Sequence, residues 1–146
     1  MQFDDSNVII VGVSTLLAHV KIREGLENHW ESIAKRVFTA THKNEDGCVR
    51  YEYWRGFDPR TYYVLLSFNS FEDFMVHQVA DYHHNTDFRD CFEDFKLEWV
   101  DPIKDASPLR ETDTSGDMQQ DKSDLWNNYV KNHSSKTPQW WIGLRQ

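Results

Sequence analysis

CVRYEYWRGFDPRTYYVLLSF, residues 48–68, reads as two short strands joined by a tight connection. From Cys48 to Arg55, Val49, Tyr51 and Tyr53 alternate with Cys48, Arg50, Glu52 and Trp54, the period of two that sends successive side chains to opposite faces of a sheet. Gly56-Phe57-Asp58-Pro59-Arg60 combines a flexible residue with one that cannot donate to a strand ladder, so it reads as a hairpin loop. Thr61 to Phe68 is aromatic and β-branched, as a second strand should be. The two strands are expected to pair antiparallel.

Upstream, Asn44-Glu45-Asp46-Gly47 is a turn cluster in which Gly47 can take a positive φ at little cost. Before it, Leu26, Trp30, Ile33, Ala34, Val37 and Phe38 fall at spacings of three and four between Leu26 and His42, one stripe of an amphipathic helix. Arg23-Glu24-Gly25 separates that helix from a first strand over Asn7–Ile22, with an irregularity expected near Leu16–Ala18. Downstream, Asn69 or Ser70 caps a second helix, whose first turn carries Glu72 and Asp73 where the macrodipole favours acids. Phe71, Phe74, Met75, Gln78 and Val79 form its inner stripe. The polar patch Asp81–Thr86 is expected to break the helix, Phe88–Phe95 to resume it, and Lys96–Ile103 to form a fourth strand.

The order β-α-β-β-α-β defines an α+β, ferredoxin-like fold with helices over one face of a four-stranded antiparallel sheet. Strands carrying Tyr51, Tyr53, Tyr63 and Trp99 are expected to present an aromatic second face, which a partner sheet would cover. That arrangement is a homodimer in the form of a dimeric α/β barrel.

The 146 residues suffice for one domain, placed at 1–105, and an appendage. Residues 106–124 are polar and read as a flexible linker. Residues 125–146, with Trp126, Tyr129, Trp140, Trp141, Ile142 and Leu144, are too apolar for a free tail and are expected to dock on the domain or its dimer mate. A net charge of −8 argues against nucleic acid, whose binding needs clustered Lys and Arg. No apolar run reaches eighteen residues and the N-terminus is acidic, so a cytoplasmic protein without a membrane span is expected. Cys48 and Cys91 lack metal-ligand spacing and read as reduced thiols. Aromatic residues make up 14%, which suits a pocket for a planar ligand as well as a core.

Three stretches together resemble the antibiotic biosynthesis monooxygenase family: Val20-Lys21-Ile22-Arg23-Glu24-Gly25; Thr41 through Glu52 with its Gly47-Cys48-Val49-Arg50-Tyr51-Glu52 run, followed by Asp58-Pro59; and Ser70 through His77 followed by His83 and His84. The resemblance covers about residues 7–104. It implies a dimeric α/β barrel and, in some members, oxidation of electron-rich aromatic or quinol substrates by dioxygen without flavin or metal; other members degrade haem or isomerise small phosphorylated sugars. Two features depart from the family pattern. Leu66 and Phe68 stand where a glutamate and a tryptophan often end strand three, and the segment between His77 and Phe88 is slightly longer.

His77, His83 and His84 are the candidate catalytic residues, with His77 as the expected base helped by His83 or His84, since a histidine titrating near neutrality can take a proton from a phenol and prepare it for oxidation. The competing assignment makes His77 an ordinary hydrogen-bonding residue on the helix edge and His83 and His84 solvent-facing break residues. Three histidines within eight positions also admit a Zn²⁺, Fe²⁺ or haem site, although the six-residue step from His77 to His83 does not suit metal ligation on one helix. No bound cofactor is the favoured reading. Tyr51, Tyr53, Trp54, Tyr63 and Phe68 are the candidate walls for a small aromatic substrate, against the alternative that they are core and dimer interface. Arg50, Glu52 and Arg55 read as a solvated charge set. The expected function is a monooxygenase-like tailoring reaction on an aromatic or quinol-type molecule; an isomerase or cyclase, or a ligand-binding module, is the alternative.

Overall fold

The computed structural model describes residues 13–145. Strands β1 (Ser14–Ile22), β2 (Cys48–Arg55), β3 (Thr61–Phe68) and β4 (Phe92–Trp99) form one antiparallel sheet in the order β2-β3-β1-β4. Helices α1 (Glu27–Asn44) and α2 (Phe71–Val79) cover one face. A short helix α3 (Asp81–His84) and a 3₁₀ turn (Asp87–Cys91) connect α2 to β4. Helices α4 (Asp124–His133) and α5 (Gln139–Leu144) follow the sheet. The α+β, ferredoxin-like topology is the expected one, and the part of the first expected strand before residue 13 lies outside the described residues.

Alternation sorts the side chains. Leu16, Ala18, Val20 and Ile22 of the central β1 are buried under the helices, as are Tyr62, Val64, Leu66 and Phe68 of β3. Trp30, Ile33 and Val37 of α1 and Phe71, Phe74 and Met75 of α2 close onto them. Ser70 caps α2 by accepting from Asp73 N–H at 3.0 Å. Gly47 is required for space and not for backbone freedom: its φ is not positive, and a Cβ there would lie 2.2 Å from Asp73 Cγ.

Two local expectations are corrected. Phe88–Phe95 does not continue the second helix, and the fourth strand starts at Phe92 in place of Lys96. Phe88, Phe92 and Phe95 do sit at helical spacing, but Phe95, Leu97 and Trp99 alternate, and pairing with β1 from Ile22 to Leu16 satisfies backbone groups that a helix abutting the sheet edge would leave unpaired. The irregularity in β1 is a register shift at Lys21/Ile22 against β4; Leu16–Ala18 pairs regularly on both sides.

The second sheet face also differs from expectation. Tyr51, Tyr53 and Trp99 point to the helix side with the core, while Tyr63 and Trp54 point away from it. The uncovered face mixes Leu17, Tyr63 and Leu65 with polar pairs such as His19–Glu98 at 2.6 Å and Arg50–Glu52 at 2.9 Å.

Beyond β4 the chain has no helix or strand until α4. This stretch, read from sequence as a linker, is tied to the sheet: Ser14 Oγ donates to Asp113 O at 2.8 Å, Thr112 N donates to Asp101 Oδ1 at 2.8 Å, and Thr112 and Thr114 are buried. Ser123 caps α4, which packs on α2 and adds Trp126, Tyr129 and Val130 to the core. Among the described residues no helix is long and apolar enough to cross a membrane.

Candidate functional site

A cavity of about 320 Å³ lies between the helix-facing side of the sheet and the elements above it, within the size range of small-molecule sites. Its floor is small, with Ala18 and Val20 from β1 and Val64 and Leu66 from β3, and this shortage of bulk at the sheet centre creates the space. Tyr51 and Tyr53 of β2 and Trp30 of α1 make one wall; Phe88, Phe92 and Phe95 make the opposite one. The polar rim comes from Gln78 of α2, His83 of α3, Arg89 of the 3₁₀ turn, and Tyr129 and His133 of α4. Two larger surface grooves, of about 750 and 820 Å³, contain no histidine. In the first, Glu31 is already engaged by Arg55 at 2.6 Å and by the Tyr62 hydroxyl at 2.8 Å, and the Arg55 bonds foremost hold its carboxyl down at about 2.

His83 carries the chemistry of this rim. Its Nδ1 lies 3.3 Å from Gln78 O. A carbonyl only accepts, so Nδ1 bears the proton and Nε2 keeps a lone pair. Burial, reinforced by the neighbouring His77, pushes the His83 pKa well below the usual 6.5 and keeps the ring neutral. Burial likewise lowers the pKa of His133, whose Nε2 accepts from Gln78 Nε2 at 2.9 Å. Tyr51 and Tyr53 share a short hydroxyl–hydroxyl bond; burial raises both phenol pKa values, so these walls stay protonated.

His77 stands behind the rim and does not line the cavity. It is fully buried, packed against Tyr51, Phe68 and the His83 ring, the last at a centroid distance of 4.4 Å. Its Nδ1 faces Glu45 Oε2 at 3.1 Å, and the Tyr82 hydroxyl donates to the same carboxylate. A carboxylate partner fixes the proton on Nδ1 and leaves His77 Nε2 as a buried atom without a hydrogen-bond partner. His84 turns away to bond Tyr129 Oη through Nδ1 at 2.7 Å.

The structure thus brings Tyr51, Tyr53 and His83 to one cavity and sets His77 and Phe68 in the packing beneath it. Trp54 lines the outer groove beside α1, and Tyr63 lies on the uncovered face, edge-on to His19. Sequence reading did not find Trp30, Gln78, Arg89, Tyr129 or His133. The last was within reach: Trp126, Tyr129, Val130 and His133 fall at helical spacing on one stripe, which aims His133 at the cavity. Among the described residues no three His, Cys, Asp or Glu side chains are grouped so as to hold a metal ion.

The antibiotic biosynthesis monooxygenase family matches residues 14–87, just over half the chain and short of α4. No curated protein is significantly similar in sequence. Several solved structures share the fold. A Caulobacter crescentus CB15 protein, provisionally assigned as an antibiotic biosynthesis monooxygenase, is 19% identical with a TM-score of 0.59 over 65% of this chain and 93% of its own. A Mycobacterium tuberculosis protein is 17% identical with a TM-score of 0.57, covering 64% and 97%. A Shewanella oneidensis protein is 21% identical with a TM-score of 0.55, covering 62% and 92%. With the matched segment carrying three of the four strands, both covering helices and His83, the chain belongs to the antibiotic biosynthesis monooxygenase family.

Proposed function

We propose that the chain is a cofactor-independent, monooxygenase-like tailoring enzyme that oxidises an aromatic or quinol-type small molecule with dioxygen in the cavity under α2 and α4. The observation that carries this reading is the pairing of aromatic walls with a neutral histidine whose Nε2 lone pair is not engaged by the protein among the described residues. The substrate ring stacks against Tyr51 and Phe92, and His83 Nε2 takes its phenolic proton. The resulting phenolate is a far better electron donor to dioxygen than the phenol. For a phenol tautomeric with a ring ketone bearing a CH₂ group, that carbon loses its two hydrogens. One oxygen atom becomes the new carbonyl and the other leaves as water, so no outside reductant is required. His77, held by Glu45, positions the His83 ring from behind. We further propose that a second copy covers the sheet face bearing Tyr63.

Oxygen uptake with 1,8-dihydroxyanthrone tests the reaction. His83→Ala is expected to lower turnover about a hundredfold, the typical contribution of a positioned base, with the fold intact. Uptake no faster than the uncatalysed rate, or unchanged in that variant, overturns the assignment. Tight binding of the same compound without oxygen uptake would favour the isomerase, cyclase or binding-module alternative.

A further inference from the structure

The polar rim holds a group that proton abstraction leaves unused. Of the described residues lining the cavity, Arg89 alone carries a fixed charge, since burial keeps His83 and His133 neutral. Among the described residues no carboxylate lies within ion-pair distance of its guanidinium. Its Cζ lies 5.4 Å from the centre of the Phe88 ring, and Nη2 is 3.5 Å from Tyr129 Oη, at the outer limit of a hydrogen bond. An arginine N–H only donates, so Tyr129 Oη accepts from Arg89, and the same hydroxyl is hydrogen-bonded with His84 Nδ1 at 2.7 Å. These contacts set the guanidinium at the mouth of an apolar chamber while leaving most of its planar fork unmatched.

Resting on the reading of the cavity as an aromatic-ligand site, we propose that Arg89, aligned by Tyr129 of the C-terminal helix, is an acid subsite that takes the carboxylate of a planar aromatic acid. The ring of such a ligand enters between Tyr51 and Phe92 while its carboxylate stays at the mouth, where two parallel N–H donors of one guanidinium match its two oxygens. In a chain of net charge −8, an uncompensated cation at the rim of an otherwise neutral cavity gives an anion one place to settle. The low-dielectric walls strengthen that attraction relative to water. Arg89 and Tyr129 both lie outside the residues of the family match.

The test compares binding of 3-hydroxy-2-naphthoate with its uncharged amide, 3-hydroxy-2-naphthamide, to the full chain, read by quenching of tryptophan fluorescence. The carboxylate is expected to bind about tenfold more tightly at low salt, and high salt should shrink that advantage. Arg89→Gln should bring the two probes to within about twofold of each other, chiefly by weakening the carboxylate. Arg89→Lys should retain part of the preference, because it keeps the charge and loses the fork. Arg89 is exposed, so these changes leave the core intact, and circular dichroism verifies it. Equal affinities in the unmodified chain, or a preference that survives Arg89→Gln, overturn the acid subsite alone. Failure of both probes to bind overturns the aromatic-ligand reading together with it.

Discussion

Helices α4 and α5 are both aromatic-rich pieces of the same C-terminal segment, yet they meet the rest of the protein differently. In α4, Trp126, Tyr129 and Val130 are buried, and Tyr129 and His133 reach the cavity. In α5 no residue is buried; Trp140 is 69% exposed and Leu144 73%. Apolar content does not separate them. Spacing does: positions 126, 129, 130 and 133 make one stripe with Asn127, Asn128 and Lys131 off it, whereas Trp140, Trp141, Ile142 and Leu144 spread over more than half the circumference of a six-residue helix. A helix with a single apolar face has one way to dock, and α2 offers the complementary surface through Phe74, which meets the His133 ring edge-on at 5.1 Å. The short α5 is held by its end instead. Arg145 reaches Asp101 through Nε at 2.9 Å and Nη2 at 2.7 Å, and donates to Thr112 O at 2.9 Å.

The largest test of this contrast is truncation. Removing residues 124–146 deletes three buried α4 side chains, each worth about 1.5–3 kcal/mol, and so removes roughly 4.5–9 kcal/mol from a domain whose whole stability is of order 5–15 kcal/mol. Urea titration should find that protein largely unfolded or midpoint-shifted by several molar. Removing only residues 138–146 should cost about 1–2 kcal/mol, mainly the Arg145–Asp101 pair. Equal costs for the two truncations would dismiss the distinction between a docked and a pinned helix.

Single substitutions sharpen the same comparison. Trp126→Ala should cost about 3–5 kcal/mol, while Trp140→Ala should fall within about 0.5 kcal/mol of the parent. Trp126→Phe should recover much of the loss, because Trp126 Nε1 is buried without an acceptor and phenylalanine discards that unsatisfied donor. Thermal unfolding followed by circular dichroism measures all three.

The fold was legible because its signals were periodic and mutually consistent. The Cys48–Phe68 hairpin alternates, α1 carries an unbroken stripe, and Ser70 with Asp73 marks the start of α2. Where two periods fit the same residues, as at Phe88, Phe92 and Phe95, pattern alone misplaced the boundary and strand pairing decided it. The candidate site was less legible for a geometric reason. Alternation says that Tyr51 and Tyr63 face opposite sides of paired strands only once the register is known, and here Tyr63 lies opposite Trp54 while Tyr51 lies opposite Leu66. The histidine cluster was visible as a cluster. Its division into a cavity-facing His83, a fully buried His77 and an outward His84 depends on the break after Val79, where α2 stops and α3 restarts along a new axis. The cavity's polar rim was hidden most deeply, because it joins α2, the 3₁₀ turn and a helix some forty residues later.

The smallest expected effect separates the two helices by pH. Burial lowers the pKa of His133, on α4, and of His83, which shares its cavity, so both are neutral in the folded protein. In the unfolded chain each histidine takes up a proton near the usual 6.5. Between the folded and unfolded values the unfolded state binds more protons, so stability is fully present above about 6.5 and declines as pH falls. The slope is at most about 1.4 kcal/mol per pH unit for each group. The α5 pin responds elsewhere. Burial alone would raise the pKa of Asp101, but the Arg145 and Thr112 hydrogen bonds outweigh it and hold the carboxyl below the usual 3.8, so that pair keeps its charge well past the point where the histidines titrate. Amide hydrogen exchange measured at pH 7.5 and 5.5, corrected for intrinsic rates, should therefore lose protection in α4 while the backbone around Asp101 and Thr112 opens no more than the global stability change requires. His133→Gln, which preserves a hydrogen-bonding partner for Gln78 without a titrating ring, should flatten the α4 response by about half and leave the His83 contribution in place. Protection in α4 that is indifferent to pH across this interval would mean that His133 is not held neutral by docking, and the helix would then owe its place to Trp126, Tyr129 and Val130 alone.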